Sequence, residues 1–468
     1  MRNFALFLGA LFASSICRAQ TAALQAPAAK WETGKIIESV VCAKTPEQSY
    51  ALYLPSNYSP DRSWPVVFAF DPGARGKIPV ELMKDAAQRY GFIVAGSNNS
   101  RNGSWKIEFD AADAMVRDTQ ERFSVDAKRI YFTGFSGGAR VASQLAQLCK
   151  CAAAVLLSGA GFSQGSPPVR ENSFPVFSAV GVADFNYAEL ISLQDKLARA
   201  GYPHWLRIFD GVHEWAPAQV MTEVFAWFRI QAMRTNREPR DENFISAEFK
   251  TAVAAAEKYS ANGDPLSAWR QYKQIAEAYD GVVDLTGFRA EAEELSRGKS
   301  LQDALKRERN DFADQERLSS QILGALQTKE NSEAPSSEGS ANVLQDIRDL
   351  RQRSESEKKP ERAVVLKRAL AGIFIGAIET GNDALDKKDY RTAARYYSSA
   401  AEAKPDSEWP LRRLAVAQAL DKNRKAALET LHRIKPADHA EFLNWLKNEP
   451  AFQDLRNRSE FGELDIGR

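Results

Sequence analysis

The pentapeptide Gly134-Phe135-Ser136-Gly137-Gly138 is the feature that most constrains the fold of this 468-residue chain. It fits the pattern G-x-S-x-G, in which a serine lies on a tight turn between a strand and a helix. Residues 129–133 before it are rich in β-branched and aromatic side chains, and residues 139–146 after it have the pattern of a helix. Small residues are needed on both sides because the serine backbone is strained and a neighbouring Cβ would clash. The sequence therefore predicts a strand-turn-helix unit that presents the Ser136 hydroxyl as a nucleophile.

Strand-like and helix-like segments alternate from about residue 30 to residue 235. Two segments of alternating polarity, 35–41 and 50–54, predict an opening antiparallel pair. Apolar runs predict six further strands, at 65–70, 92–95, 130–133, 153–157, 174–180 and 205–209. Amphipathic stretches predict helices at 80–90, 111–123, 139–148 and 187–200. Such alternation implies right-handed crossovers and a doubly wound, mostly parallel sheet that binds ligands at the carboxyl ends of its strands.

A serine nucleophile at such a strand end needs a general base, and histidine is scarce in this half of the chain. Only His204 and His213 precede residue 235. His204 falls at the start of the last predicted strand, where a packing or edge role is expected. His213 follows that strand, in the turn 210–215, from which an imidazole can reach a hydroxyl at the carboxyl edge of the sheet. We therefore expect His213 to be the base for Ser136.

The imidazole in turn needs a carboxylate that fixes its tautomer and stabilises its cation. Asp184 comes shortly after the predicted strand 174–180 and is the favoured residue. Asp210 is the competitor, but it lies only three residues from His213 and at the wrong strand end. Asp195 is expected to face outward on its helix. The resulting chain order of serine, aspartate and histidine differs from the orders in chymotrypsin and subtilisin.

Acyl transfer also needs hydrogen-bond donors for the developing oxyanion. The N–H of Gly137, the residue after the nucleophile, is the first expected donor. The loop 70–76, which follows an early strand, is expected to supply the second. Pro72 lacks an N–H, so Ala74 is the preferred donor and Gly73 is the next. A surface turn built of turn-forming residues is the alternative interpretation of this loop.

Residues 35–235 resemble an α/β-hydrolase, in particular the small secreted polyester depolymerases and feruloyl esterases. The resemblance implies that Ser136 is the nucleophile, Asp184 the acid and His213 the base, with no metal or cofactor. Many members of the family have a His-Gly pair in the oxyanion loop, whereas this chain has Asp71-Pro72-Gly73. The departure affects the choice of oxyanion donor and leaves the triad unchanged.

Two features of the sequence bear on the substrate. Only sixteen residues separate the predicted strands 153–157 and 174–180, which is too few for a lid domain, so an open site is expected. Three aromatic residues near the predicted site, Phe135, Trp105 and Trp215, are candidates for lining the acyl or alcohol pocket. Partial burial within the fold is the alternative role for each of them.

Beyond about residue 245 the chain is patterned almost wholly as helix. A 34-residue period relates two sets of mostly small and apolar positions, and a similar unit precedes them. The positions are Gly381, Tyr390, Ala393, Tyr397, Ala400 and Pro405, then Ala415, Arg424, Ala427, Leu431 and Ile434, with Gly263, Asp264, Ala268, Tyr272 and Ile275 in the earlier unit. Their spacing resembles a tetratricopeptide repeat, whose stacked helix pairs leave a groove. The groove suits a protein or peptide partner, and packing against the preceding domain is the alternative.

The predicted organisation follows from these patterns and from the ends of the chain. A signal peptide is expected at 1–19, a hydrolase domain at 30–236, a linker at 237–247 and an all-α region at 248–468, with a disordered loop at 328–342. The signal predicts export, to the periplasm or the extracellular medium. Without it the chain has 60 basic and 61 acidic residues, a balance that gives no indication of nucleic acid binding. No other segment is predicted to cross a membrane.

Three cysteines follow the predicted signal peptide. An exported protein can join Cys42 to either Cys149 or Cys151, and we expect one such disulfide because the last two are too close for an easy mutual bond. No His lies near the Cys-Lys-Cys spacing in sequence, so structural thiols are favoured over a metal site.

Together these patterns predict an exported serine hydrolase that acts on small or polymeric carboxylic esters. A serine peptidase or amidase with the same triad is the enzymatic alternative. A tetratricopeptide binding scaffold that carries an inactive hydrolase-like domain is the alternative from another functional class.

Overall fold

The computed structural model describes residues 31–328, 337–456 and 461. The predicted signal peptide at 1–19 lies outside these described residues. The chain divides into two compact units between Arg307 and Glu308. Each unit has its own architecture.

The first unit contains one eight-stranded sheet. Its strands are β1 (Ile36–Val41), β2 (Ser49–Tyr53), β3 (Trp64–Phe70), β4 (Ile93–Ser97), β5 (Val125–Phe135), β6 (Ala152–Ser158), β7 (Val176–Gly181) and β8 (His204–Phe209). Their order across the sheet is β1-β2-β4-β3-β5-β6-β7-β8. β2 runs antiparallel to β1 and β4, and the other neighbouring pairs are parallel. The structure confirms the predicted doubly wound, mostly parallel sheet and its opening antiparallel pair.

Helices pack around this sheet. They are α1 (Lys77–Tyr90), α2 (Trp105–Arg122), α3 (Gly137–Cys149), α4 (Tyr187–Ala200), α5 (Ala218–Arg234), α6 (Glu242–Ala261), α7 (Pro265–Ala278) and α8 (Thr286–Arg297). Every residue of β3, β4 and β6 is buried. Because side chains alternate between the faces of a strand, full burial means that both faces of the central sheet are covered. The helix predicted to begin at residue 111 begins earlier, at Trp105.

The core of the first unit extends beyond the sheet into α6 and α7. Ala256 and Ile275 belong to the same buried cluster as Phe225 of α5. The linker predicted at 237–247 is shorter, because α6 begins at Glu242. The Asp241 carboxylate caps that helix by accepting a hydrogen bond of 3.0 Å from the N–H of Phe244. The helical region predicted from residue 248 is thus shared between the two units.

The described regular structure of the second unit is entirely helical, as predicted. Its elements are α9 (Lys299–Thr328), which begins in the first unit, then α10 (Ser337–Ser356), α11 (Pro360–Asp386), α12 (Tyr390–Ala403), α13 (Glu408–Leu420), α14 (Arg424–Arg433) and α15 (His439–Asn448). Of the loop predicted at 328–342, residues 329–336 lie outside the described residues and α10 begins at Ser337. No helix in the described part of the chain is long and apolar enough to span a membrane.

Several repeat positions of the second unit are buried between helices. Ala393, Tyr397 and Ala427 have no exposed surface. A Cβ on Gly381 would lie 2.8 Å from the ring of Tyr397, so the small residue allows α11 and α12 to pack closely. This burial explains the 34-residue period physically, while membership of the tetratricopeptide class stays a prediction.

The predicted pairing of Cys42 is wrong. Cys149 and Cys151 form the disulfide, with Cα atoms 5.1 Å apart, and Cys42 is a buried free thiol. Lys150 between them adopts φ 53°, which reverses the chain at the end of α3 and brings the two sulfurs together. Cys42 follows β1 and Cys151 precedes β6, so five strand spacings of the sheet separate them, about 24 Å. That distance is far beyond the reach of a disulfide.

Candidate active site

The serine of the pentapeptide lies on the turn between β5 and α3. Ser136 has φ 53° and ψ −121°, a strained conformation for a residue with a side chain. A Cβ on Gly134 would lie 2.0 Å from the carbonyl oxygen of Gly138. A Cβ on Gly138 would lie 2.0 Å from the carbonyl oxygen of Phe70, at the end of β3. Both outer glycines of the motif are therefore required because backbone packs directly against backbone.

The structure brings Ser136, His213 and Asp184 into one hydrogen-bonded chain. The Oγ of Ser136 lies 3.0 Å from Nε2 of His213. The Nδ1 of the same ring lies 2.9 Å and 3.0 Å from the two carboxylate oxygens of Asp184. The Asp184 side chain has no exposed surface, and the His213 side chain keeps 13% of its surface exposed. Asp210, the competing acid, is exposed and contributes no hydrogen bond to this chain.

The partners of His213 fix its tautomer. An ionised carboxylate can only accept hydrogen bonds, so Nδ1 carries a proton and its N–H donates a hydrogen bond to Asp184. Nε2 is left with a lone pair that accepts from the hydroxyl of Ser136. The arrangement can therefore move a proton from Oγ to the ring while Asp184 stabilises the imidazolium that forms.

Hydrogen bonds near neighbouring strand ends hold Ser136 and Asp184 in place. The N–H of Asn186 donates to Oδ1 of Asp184 over 2.8 Å, and the Asn186 carboxamide donates to the carbonyl of Gly159 over 2.8 Å. The N–H of Ser136 donates to the carbonyl of Ser158 at the end of β6, over 2.9 Å. The same strand end therefore positions the nucleophile and, through Gly159 and Asn186, the acid.

Two phenylalanines enclose the imidazole. The ring centroids of Phe135 and Phe185 lie 4.6 Å and 4.4 Å from that of His213. Phe135 therefore packs against the ring of His213. No sequence pattern pointed to Phe185, because its contact with His213 arises only in the folded chain.

The two tryptophans proposed to line a pocket lie in different surroundings. Trp105 begins α2, is 41% exposed and stacks on Phe109 with centroids 5.5 Å apart. Trp215 is buried, packs against Phe135 and donates its indole N–H to Asp71 over 2.8 Å. Trp215 therefore has a structural role, in line with the alternative kept open for it.

The oxyanion loop is internally hydrogen-bonded. The N–H of Ala74 donates to the carbonyl of Asp71 over 3.1 Å, and the N–H of Gly73 donates to the Asp71 carboxylate over 2.8 Å. Both of the donors expected from this loop are thus engaged in a turn, with Ala74 at φ 58°. The N–H of Gly137, at the first position of α3, has no acceptor among the hydrogen bonds of the described residues.

Asp71 is a buried carboxylate beside this site whose contacts the sequence did not reveal. Its side chain has no exposed surface and accepts from four groups. Besides Gly73 and Trp215, the donors are Nε and Nη2 of Arg75, at 2.8 Å and 3.1 Å. The departure of Asp71 from the family His-Gly pair was the available signal, since a carboxylate at a buried strand end needs several donors to be tolerated.

Asn102 was also missed. Its Oδ1 lies 1.9 Å, and its Nδ2 3.3 Å, from the position that a Cβ on Gly137 would occupy. The Asn102 carboxamide therefore lies against Gly137, the residue after Ser136. Asn102 belongs to a loop of small and polar residues after β4, and nothing in that composition distinguishes it from its neighbours Asn98 and Asn99.

No cluster of three or more His, Cys, Asp or Glu side chains suited to a metal ion is found in the described part of the chain. The other histidine of the first unit, His204, is buried on β8. Its Nδ1 lies 2.9 Å from the Tyr202 carbonyl and 3.1 Å from the Glu277 carboxylate. His204 therefore has the packing role expected of it.

No protein-family model matches the chain. No curated protein matches it either. Solved structures that resemble it include the fluorophosphonate-binding serine hydrolase F of Staphylococcus aureus, at 14% identity, covering 42% of this chain and 99% of that one with a TM-score of 0.35. A ferulic acid esterase has 16% identity to this chain. The match covers 42% of this chain and 96% of the esterase, with a TM-score of 0.36. An esterase from the archaeon Pyrobaculum calidifontis has 11% identity to this chain. The match covers 49% of this chain and 93% of that esterase, with a TM-score of 0.35.

Proposed function

We propose that this chain is a serine hydrolase that cleaves carboxylic esters. The observation that carries the proposal is the unbroken hydrogen-bonded chain from Ser136 Oγ through His213 to Asp184. The strained backbone of Ser136 adds support, because such conformations cluster at functional sites.

Acylation begins when Ser136 Oγ attacks the ester carbonyl carbon and its proton passes to His213 Nε2. The carbonyl oxygen becomes an oxyanion, which accepts a hydrogen bond from the N–H of Gly137. When the intermediate collapses, the bond to the alcohol oxygen breaks and that oxygen takes the proton from His213. The alcohol leaves, and the acyl group remains on Ser136 as an ester.

Deacylation repeats these steps with water as the nucleophile. His213 takes a proton from a water molecule, whose oxygen attacks the acyl carbon. Collapse of the second intermediate releases the carboxylic acid, and His213 returns its proton to Ser136 Oγ. Asp184 stays ionised and stabilises the imidazolium in both halves of the reaction.

The surroundings of Ser136 support an open site for small or polymeric esters. Between the end of β6 and the start of β7 the regular structure is a single 3₁₀ turn, Arg170–Asn172. No lid helix is built from this segment. We further propose that the chain is exported, on the basis of the leader-like pattern at residues 1–19.

Covalent labelling with a fluorophosphonate probe tests the proposal. The full-length chain should be labelled, and Ser136→Ala should not. Ser56→Ala, which removes an exposed hydroxyl of the same unit, should be labelled like the wild type. Absence of labelling in the wild type, or unchanged labelling of Ser136→Ala, would favour a binding scaffold with an inactive domain.

A second measurement separates the two enzymatic possibilities. Hydrolysis of short p-nitrophenyl esters should be faster than hydrolysis of matched peptide amides. Faster cleavage of the amides would replace the esterase proposal by a peptidase or amidase.

A further inference from the structure

We propose that the side-chain carboxamide of Asn102 is an oxyanion donor of this site, acting beside the N–H of Gly137. The inference rests on the proposed function, since it assigns a role within the same acyl-transfer reaction. It adds to the site a catalytic residue from the loop between β4 and α2.

The need for such a donor arises from the oxyanion loop. A developing oxyanion is best stabilised by more than one preorganised donor. The N–H groups of Gly73 and Ala74 already donate within the loop, at 2.8 Å and 3.1 Å. Either could serve the oxyanion only by breaking a hydrogen bond to Asp71, and reorganisation of this kind reduces the catalytic benefit of a donor.

The position of Asn102 meets this need. Its carboxamide lies so close to Gly137 that a Cβ there would be 1.9 Å from Oδ1 and 3.3 Å from Nδ2. The Gly137 N–H is one bond from the same Cα. The proposal places a carbonyl oxygen bound by that N–H within reach of the carboxamide, because both groups adjoin the Cα of Gly137. Rotation of the side chain about its last torsion exchanges Oδ1 and Nδ2, so that the donor end faces the oxyanion.

Backbone contacts hold Asn102 at this place. Its N–H donates to the carbonyl of Pro72 over 3.0 Å, and Arg101 pairs with Gly73 in an antiparallel bridge. The loop that bears Asn102 is thus attached directly to the oxyanion loop. The carboxamide itself has no hydrogen-bond partner among the described residues, so it is free to donate to a substrate.

The chemistry of the group suits the role. A carboxamide is neutral at every working pH and carries two N–H donors. Loss of one oxyanion donor reduces kcat by about 10²- to 10³-fold in serine hydrolases where it has been removed. Because the bond forms only as charge develops, the loss should appear in kcat, with KM nearly unchanged.

The test compares variants of the full-length chain on a p-nitrophenyl ester. Asn102→Ala and Asn102→Asp should lower kcat about 100-fold or more, the second because a carboxylate repels the oxyanion. Asn102→Gln, which keeps the amide, should recover part of the loss. Arg101→Ala, which truncates the neighbouring exposed side chain, should keep kcat within about twofold. Binding of a trifluoromethyl ketone, which forms an oxyanion adduct, should weaken in parallel with kcat.

The outcomes separate this inference from the proposed function. If the wild type hydrolyses the ester while Asn102→Ala keeps its kcat and its ketone affinity, the inference is overturned and a backbone donor such as the N–H of Arg75 takes the role. A fall in thermal stability equal for all three Asn102 variants, without recovery of kcat in Asn102→Gln, would also overturn it. A wild type that hydrolyses no ester and is not labelled by the fluorophosphonate contradicts the proposed function itself.

Discussion

Asp71 and Trp215 lie 144 residues apart in the chain, and the indole N–H of Trp215 donates to the Asp71 carboxylate over 2.8 Å. Asp71 directly follows β3, at the start of the loop 70–76, and Trp215 lies two residues after His213. One buried hydrogen bond therefore joins the loop 70–76 to the loop that bears His213. The same carboxylate holds Gly73 and Arg75, so the geometry of both loops depends on it.

The first prediction concerns this hydrogen bond. Trp215→Phe keeps an aromatic ring but removes the donor, which leaves Asp71 one partner short in a buried site. We expect the first unit to lose about 1–3 kcal/mol of stability, measured by thermal unfolding followed by circular dichroism. Trp105→Phe, the matched control at an exposed tryptophan, should change stability by less than about 0.5 kcal/mol. Equal effects of the two substitutions would show that the bond to Asp71 is unimportant.

The second prediction distinguishes two glycines of the motif. Gly138→Ala places a Cβ 2.0 Å from a backbone oxygen of β3, and a backbone atom cannot move aside cheaply. We expect it to yield little soluble protein. The three heavy atoms nearest to a Cβ on Gly137 all belong to the side chain of Asn102, which can rotate away, so the fold should survive in Gly137→Ala.

The measurements for the two alanine variants are soluble yield, thermal midpoint and kcat. Gly137→Ala should have a midpoint close to the wild type and a reduced kcat, because the displaced carboxamide no longer lies beside the Gly137 N–H. A stable Gly138→Ala with unchanged activity would contradict the close packing of the turn against β3.

The sequence was sufficient for the parts of the site that follow from strand order. Ser136, Asp184 and His213 each follow a strand of a parallel sheet, and the carboxyl ends of such strands meet at one edge. Their proximity could therefore be anticipated once the serine motif and the scarcity of histidine had indicated which residues to consider. Asp71 and Asn102 could not be assigned in this way, because their roles depend on contacts between loops whose conformations no periodicity specifies.

The disulfide and the domain boundary differ from their predictions for equally specific reasons. Cys149 and Cys151 pair because Lys150 takes a left-handed conformation, which residues other than glycine, asparagine and aspartate seldom adopt. The observed division between the units, at Arg307 and Glu308, lies beyond the predicted start of the helical region at residue 248. The reason is that α6 and α7 bury apolar residues in the core of the first unit. A pattern that is helical throughout gives no indication of which core a helix joins.

The third prediction follows from the cysteines. A chain produced without residues 1–19 has three cysteines, of which only Cys42 is free. Burial and the nearby Asp118 charge raise the pKa of Cys42 to about 11, so the folded protein should not react with a thiol reagent at pH 8. After unfolding without reductant, one thiol per chain should react. Tryptic cleavage at Lys150 should leave two peptides that separate only on reduction, whereas reaction of all three thiols would contradict the disulfide.

The fourth prediction concerns the pH dependence of stability. Burial raises the pKa of Glu108 on α2 to about 8. Below about pH 4.5 the Glu108 carboxyl is protonated in both the folded and unfolded states, and its contribution to the stability of the fold is fully present. Between pH 4.5 and 8 only the unfolded state releases the proton, so stability falls by about 1.4 kcal/mol per pH unit. The loss ends once pH exceeds the folded pKa.

Glu108→Gln removes this titration, so its thermal midpoint should exceed that of the wild type by an amount that grows from pH 5 to pH 8. Asp110→Asn, at a half-exposed carboxylate of the same helix, is the control and should show no such growth. A difference between Glu108→Gln and the wild type that stays constant with pH would show that the native carboxyl titrates near its ordinary pKa.

The fifth prediction tests the acid against its sequence competitor. In Asp184→Asn the carboxamide can donate to Nδ1, which favours the tautomer with the proton on Nε2, and that nitrogen can then no longer accept the proton of Ser136. We expect kcat for ester hydrolysis to fall about 10⁴-fold near neutral pH. Asp210→Asn, which alters the acid only three residues from His213, should keep kcat within about twofold, because Asp210 makes no hydrogen bond to that ring. The reverse ranking of the two variants would assign the acid to Asp210. Similar thermal midpoints for both variants would establish that the difference arises from the proton on His213 and not from unfolding.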